Sequence, residues 1–170
     1  MIPVVSEASL YYIAHASQAQ SIVFLSCLDV FYLLVLRMIK ISGGTAKQRR
    51  YLRPWAETLH RLLLEGGDVV IKLDRLDEVH GTAWMCEDQT LEVELDRRLK
   101  LKHLALTLCH EFVHLQQFQQ GRLKIGKHYN WRGERYNDTD YWSQPWEREA
   151  YARQARVKRL AEYELLQLSA

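Results

Sequence analysis

Two histidines stand four residues apart in the segment His110-Glu111-Phe112-Val113-His114, which has the pattern HExxH. In an α-helix, positions i and i+4 lie about 40° apart around the axis and one turn apart along it, so both imidazoles can reach one metal ion. Glu111 lies about 100° from His110, beside such an ion, where its carboxylate can take a proton from a water molecule. The pattern therefore predicts a zinc site with His110 and His114 as ligands and Glu111 as the catalytic base.

The motif has a low chance of arising at random. In a chain of 170 residues with 7 histidines, the expected number of HExxH patterns is about 0.02. The alternative is a pair of surface histidines on an ordinary helix. The surrounding sequence is apolar around most of the helix, however, so these polar groups would be costly to bury unless a metal ion bound them.

A zinc site of this kind needs a third protein ligand. A glycine and a third histidine at the metzincin spacing would fall at positions that hold Gln117 and Gln120, which excludes that class. His128, in a predicted loop, is one alternative. The segment PWEREAY contains two others, Glu147 and Glu149.

Helical geometry favours Glu147. Pro145 suits the first position of a helix. At about 100° per residue, Glu147 lies about 60° from the centre of the apolar face, whereas Glu149 lies about 100° away on the opposite side. Ala150, one turn after Glu147, would allow this helix to approach the HExxH helix closely. Glu149 stays open as the other ligand register, and two surface glutamates favoured by the helix dipole are a further alternative.

The HExxH segment lies in the middle of three predicted helices. Apolar spacing and the positions of proline and glycine predict a scaffold helix, a buried central helix that carries the motif, and a last helix. Their ranges are Thr45–Leu64, Leu99–Gln120 and Pro145–Leu166.

Short β-prone runs separated by polar turns predict a small sheet. The runs are Asp68–Leu73, Gly81–Met85 and Thr90–Leu95, and a short hairpin is predicted around Trp131–Tyr136. The predicted fold class is α+β, with a small, mostly antiparallel sheet.

The segment LCHEFVHLQQ, followed 33 residues after His114 by EREAY, resembles the gluzincins. It is most similar to small phage and bacterial metallopeptidases in which a Glu-x-x-Ala helix follows the HExxH helix. The resemblance implies a minimal zincin-like domain over residues 45–168 that hydrolyses peptide bonds, with His110, His114 and Glu147 as zinc ligands and Glu111 as base. Many gluzincins orient a zinc histidine with an Asp four residues after the ligand glutamate, but here that position is Tyr151.

In such enzymes, the strand before the HExxH helix binds an extended peptide at the sheet edge. Thr90–Leu95 matches that strand, and its acids, Glu92 and Glu94, would favour basic substrates if they faced the peptide. An oxyanion donor is also expected. The candidates are Tyr129, Tyr136, Tyr141 and His128.

Two rival functions stay open. One is a binding or structural module in which zinc only stabilises the fold, although such a site has no use for a base such as Glu111. The other is a nucleic-acid-associated protease resembling the SprT-like family. That reading would draw on Lys100, Lys102, Arg122, Lys124 and Lys127, but the net charge of +2 gives no clear nucleic-acid signature.

Residues 1–37 differ from the rest of the chain. Ser21–Leu36 is the most apolar stretch, but Asp29 lies at its centre and no basic residue precedes Arg37. We expect a weak membrane anchor, a buried helix, or an extension outside the natural domain with translation beginning at Met38.

Cysteine usage indicates the compartment. Cys27, Cys86 and Cys109 are odd in number and form no CxxC pair, so neither a disulfide framework nor a cysteine zinc site is predicted. A reducing, cytoplasmic location follows, with membrane attachment if Ser21–Leu36 is an anchor. The substrate is expected to be a protein or peptide.

Overall fold

The computed structural model describes residues 39–137 and 140–168. The predicted extension, residues 1–37, lies outside these ranges, so the three interpretations of Ser21–Leu36 stay predictions. Across the described residues, no helix combines the length and apolar character needed to cross a membrane.

A four-stranded sheet forms one layer of the domain, in the spatial order β1-β2-β4-β3. Its strands are β1 (Ile39–Gly43), β2 (Val69–Asp74), β3 (Gly81–Met85) and β4 (Leu91–Asp96). β1 and β4 both pair with β2 in parallel, and β3 pairs with β4 in the antiparallel direction. The fold is mixed α and β, compatible with the predicted class, but the prediction of a mostly antiparallel sheet is wrong.

The predicted strand directions are wrong because the prediction does not include strand β1. Helix α1 (Ala46–Leu63) joins β1 to β2, and a crossover through a helix brings the chain back in the same direction. β1 has only five residues, in which Ile39 and Ile41 alternate with polar residues before Gly43, and so short a run is a weak signal for a strand.

The strand at the free edge of the sheet is not the one that the sequence predicts. β4, which covers most of the predicted Thr90–Leu95 run, pairs with β2 on one side and with β3 on the other. The expectation that this segment binds a peptide at the sheet edge is therefore wrong. Glu92 is also occupied, because its Oε2 lies 2.6 Å from Lys72 Nζ. The edge strand on this side of the sheet is β3.

Helix α2 (Leu101–Gln119) carries the HExxH motif and is buried on nearly all sides. Leu104, Leu108 and Phe112 are completely buried in the core that α2 shares with the sheet and α1. The helix ends where glycine predicts it, because Gly121 has a φ of +64° and the next N–H, of Arg122, donates to the carbonyl of Gln117 at 2.9 Å. The predicted buried central helix is confirmed.

Helix α3 (Pro145–Leu168) packs against α2 and starts at the predicted proline. Between the two helices, three short strands form an antiparallel sheet that contains the predicted hairpin. They are β5 (Leu123–Ile125), β6 (Tyr129–Trp131) and β7 (Glu134–Tyr136). Trp146 at the start of α3 is 3% exposed and packs with Phe118 of α2, Leu123 and Trp131. This second apolar cluster fixes where α3 begins relative to the HExxH helix.

Asp96 connects the sheet to the start of α2. Its carboxylate accepts hydrogen bonds from the Arg98 guanidinium at 2.7 and 3.0 Å, and the same guanidinium contacts the carbonyl of Leu76. The Asp96 N–H donates to the carbonyl of His80 at 2.9 Å. These bonds hold the loop before β3 against the loop before α2.

Asp96→Asn should reduce the acid sensitivity of the fold. The hydrogen bonds from Arg98 lower the pKa of Asp96 to about 2, below the unfolded value of about 3.9. The ionised carboxylate therefore stabilises the fold above about pH 4, and this stabilisation is lost as the pH falls toward about 2. The drop in unfolding free energy over this interval, measured by urea denaturation of metal-free protein, should be smaller in the variant.

Asp77→Asn is the matched control for that experiment. The Asp77 side chain is 83% exposed, so this variant should keep the acid sensitivity of the parent protein. An Asp96→Asn variant with the same acid sensitivity as Asp77→Asn would contradict the assignment.

Candidate metal centre

His110 and His114 lie one turn apart on the same face of α2. Their side chains are nearly buried, with residue exposures of 7% and 6%, and their rings meet edge to face with centroids 4.7 Å apart. The two Nε2 atoms are 3.0 Å from each other. The i, i+4 spacing thus brings two imidazole nitrogens to one point inside the protein.

Glu147, in the first turn of α3, supplies a carboxylate at the same point. Its Oε2 lies 3.2 Å from Nε2 of His110 and its Oε1 lies 3.3 Å from Nε2 of His114. Ala150, one turn further along, is completely buried, which allows the close helix approach expected from the sequence. His110, His114 and Glu147 form a buried group that could hold a metal ion.

Each histidine directs its other ring nitrogen to a glutamine. Nδ1 of His114 lies 2.8 Å from Oε1 of Gln117, and Nδ1 of His110 lies 3.2 Å from Oε1 of Gln154. The Gln117 amide is oriented by a second bond, because its Nε2 donates to the carbonyl of Trp146 at 3.1 Å. Its oxygen therefore accepts the proton on Nδ1. A neutral histidine that donates from Nδ1 has a free lone pair on Nε2.

This arrangement of protons fits a cation. Two Nε2 lone pairs and an ionised carboxylate that face one another in a buried space repel unless a positive charge lies among them. Burial raises the pKa of the Glu147 carboxyl, but without a metal ion the protons that His110 and His114 can bind at Nε2 outweigh burial and hold that pKa below its usual range. A metal cation would take the place of those protons beside the carboxylate. Glu147 therefore stays ionised, as a metal ligand must be.

Glu111 lies beside this group and is not one of the three converging side chains. It is 4% exposed, and burial raises the pKa of its carboxyl to about 7. Its Oε1 lies against Gly81, the first residue of β3. The base predicted from the helical position thus faces the edge strand of the sheet.

The three tyrosines among the predicted oxyanion donors lie in different surroundings. The hydroxyl of Tyr141 donates to Oε2 of Glu147 at 2.7 Å; burial and this bond raise the pKa of the hydroxyl, so it stays protonated. Tyr129 stacks on Trp146 with ring centroids 5.0 Å apart. Tyr136 donates to Glu134. Of these tyrosines, Tyr141 alone contacts the metal group.

Two alternative ligands from the sequence lie elsewhere. The carboxylate of Glu149 receives hydrogen bonds from Arg122 at 2.6 and 2.9 Å and from Arg153 at 2.9 Å. His128 contacts the guanidinium of Arg135. The structure therefore brings Glu147, and neither Glu149 nor His128, to the two histidines.

The metal group lies in a cleft of about 670 Å³ between β3 on one side and β5, β6 and the start of α3 on the other. Three carboxylates line the cleft, from Glu78, Glu111 and Glu147, and its described lining contains no Lys or Arg. Large apolar or aromatic side chains, each at least 39% exposed, also line it. They are Val79, Ile125, Tyr129, Tyr141 and Tyr151.

Comparisons with known protein families, curated proteins and solved structures find no match to this chain. The gluzincin resemblance therefore rests on the residues of the two helices.

Sequence reasoning missed the side chains that orient the histidines. In the sequence, Gln117 stands out only as a residue that breaks the metzincin spacing, and Gln154 belongs to no motif. Tyr151, where many gluzincins have Asp, instead packs edge-on against the His110 ring at 4.7 Å between centroids. Spacing offers one signal: Gln117 follows His114 by three residues and Gln154 follows Glu147 by seven, so each lies on the same helix face as a ligand.

Glu147→Ala should weaken metal binding at least tenfold, because it removes a ligand from the buried group. Glu149→Ala is the control two residues away: it should keep the metal affinity and lose about 1 kcal/mol of stability, because it breaks the arginine contacts. Titration of metal-free protein against a competing chelator measures the affinity. Loss of metal in Glu149→Ala but not in Glu147→Ala would contradict this ligand set.

Gln117→Leu should lower metal affinity by about 10- to 100-fold, because His114 loses the acceptor that fixes its tautomer and ring orientation. Gln116→Leu is the neighbouring control. Gln116 bonds to the carbonyl of Leu63 and to Arg153 but not to a histidine, so this variant should lose stability without losing affinity. Equal affinities in the two variants would remove Gln117 from the support of the site.

Proposed function

We propose that this protein is a zinc-dependent metallopeptidase that hydrolyses peptide bonds. One observation carries the proposal: two histidine nitrogens and a glutamate carboxylate converge within 3.3 Å in a cleft whose wall also contains Glu111. The metal ligands, a candidate base and space for a substrate are thus found at one place.

The donor set supports zinc as the metal. Two imidazoles and one carboxylate are a frequent ligand set of catalytic zinc, and they leave a fourth position open. A tetrahedral zinc with bonds of about 2.0–2.2 Å separates its ligand atoms by about 3.3–3.6 Å, close to the observed 3.0–3.3 Å. Bound zinc would polarise a peptide carbonyl and make a water molecule more acidic.

The residues around the metal would transfer protons and hold the metal ligands in position. Glu111 would take the proton of the attacking water and deliver it to the leaving amine. Gln117 and Gln154 would hold the protons on the Nδ1 atoms, so that both Nε2 atoms stay available. Tyr141 would donate to Glu147 and hold its carboxylate in position.

The edge strand β3 is the docking site we propose for substrate. Gly81, Thr82 and Ala83 of β3 line the cleft, and within the described residues β3 pairs only with β4. An extended peptide can hydrogen-bond to such an open edge, and it would then pass beside Glu111.

Catalysis accounts for this site better than a purely structural role. A structural zinc site is usually closed by four protein ligands, whereas this group offers three and opens to a cleft. A buried carboxylate beside the ligands is costly to the fold and has a use only if it transfers protons.

Glu111→Gln should keep the fold and the bound zinc but lower the rate of peptide hydrolysis at least 100-fold, because the amide cannot accept the proton. The measurement is cleavage of a peptide library by zinc-loaded parent and variant, with zinc content determined in parallel. Glu78→Gln, which changes a cleft carboxylate not assigned to the mechanism, controls for the lost charge. Full activity in Glu111→Gln would exclude it as the base, and a zinc-loaded parent that cleaves no peptide would exclude the proposed function.

A further inference from the structure

Gly81 leaves no space for a side chain next to Glu111. A Cβ added at this position would lie 2.8 Å from Oε1 of Glu111 and 2.7 Å from Cγ2 of Thr107. Both distances are shorter than any ordinary contact of a Cβ atom. The carboxylate of Glu111 therefore occupies space that exists only because residue 81 is glycine.

Backbone conformation does not explain this glycine. Most described glycines have a positive φ, which favours glycine for conformational reasons. Gly81 and Gly126 are the two that do not. Gly126 has open space around it, with nothing within 4 Å of an added Cβ. At Gly81, in contrast, the missing side chain serves the close approach of Glu111 and Thr107.

A side chain at position 81 would displace the carboxylate more readily than the backbone. Gly81 pairs with Leu95 in the sheet, and the carbonyl of the preceding His80 accepts from the N–H of Asp96 at 2.9 Å. The pairing with β4 and the bond to Asp96 thus hold the backbone at this point. Glu111 contacts Gly81 through the end of a flexible side chain, which moves at lower cost.

We propose that Gly81 is the positioning residue for Glu111. The Glu111 carboxylate packs against the Cα of Gly81, and this contact holds the carboxylate where it can reach the attacking water. This inference rests on the proposed function. The precision of such contacts matters, because a displacement of about 1 Å in a reacting group can cost about 100-fold in rate. Gly81 would thus affect the rate through the position of Glu111, without binding the metal or transferring a proton.

Gly81→Ala should lower kcat by about 10- to 100-fold while zinc content and KM stay near those of the parent. A merely structural defect would instead reduce zinc content or stability. Gly126→Ala is the matched control and should behave as the parent does. Crystal structures of the zinc-loaded parent and Gly81→Ala proteins should show the Glu111 carboxylate displaced from strand β3. A parent-like kcat in Gly81→Ala, or an unmoved carboxylate, would overturn the proposal.

A second variant separates the two close contacts. Thr107→Ser removes the Cγ2 methyl. Gly81→Ala combined with Thr107→Ser therefore relieves the clash with Thr107 and retains the clash with Glu111. The combined variant should fold even if Gly81→Ala alone does not, and its kcat should stay about 10-fold or more below that of Thr107→Ser. A kcat equal to that of Thr107→Ser would show that Thr107 packing was responsible and would overturn the proposal.

Failure of the proposed function would look different. If the zinc-loaded parent cleaved no peptide, the metallopeptidase assignment would fail. The position of the Glu111 carboxylate in the two crystal structures would still decide whether Gly81 positions it.

Discussion

The burial of three polar side chains between α2 and α3 is the constraint on which the rest of the site depends. His110, His114 and Glu147 are each at most 9% exposed, and each would destabilise the fold if it lacked a partner. The Nδ1 atoms of the two histidines are bound by Gln117 and Gln154, and Oε2 of Glu147 accepts from Tyr141. These partners lie on both helices and in the turn before α3. The three buried groups therefore all have hydrogen-bond partners only when α2 and α3 pack in this register.

The start of α3 is fixed from two sides. On the inner side, Trp146 packs in the second apolar cluster, and its carbonyl accepts from Gln117, the residue that also orients His114. On the outer side, Glu149 binds Arg122 and Arg153. Glu147 lies between these anchors. The carboxylate therefore reaches the histidines because the residues on either side of it, not Glu147 itself, determine where the helix begins.

The parts of this protein that could be predicted from sequence are those that depend on local geometry. The i, i+4 spacing of His110 and His114 and the helical phase of Glu147 are properties of single helices, and the structure brings those residues together. The parallel sheet, the edge position of β3 and the bond from Gln117 to the carbonyl of Trp146 depend on residues far apart in the chain. β1 illustrates the limit: it is a short run of five residues, and its parallel pairing with β2 depends on the crossover through α1 and not on its own residues.

The position of β3 at the end of the sheet explains how the base and the open edge come together. β1 joins β2 through helix α1, as parallel neighbours require, whereas β2 is followed by β3, which forms the edge beyond β4. β3 then joins β4 through a short turn in which Gln89 has a φ of +69° and the N–H of Cys86 donates to the carbonyl of Thr90 at 2.8 Å. No crossover covers the outer side of β3, so it borders the cleft. Because Glu111 lies about 100° around α2 from His110, the same helix can direct its histidines to α3 and its glutamate to β3. A peptide on that edge would therefore meet the base and the metal group from one direction.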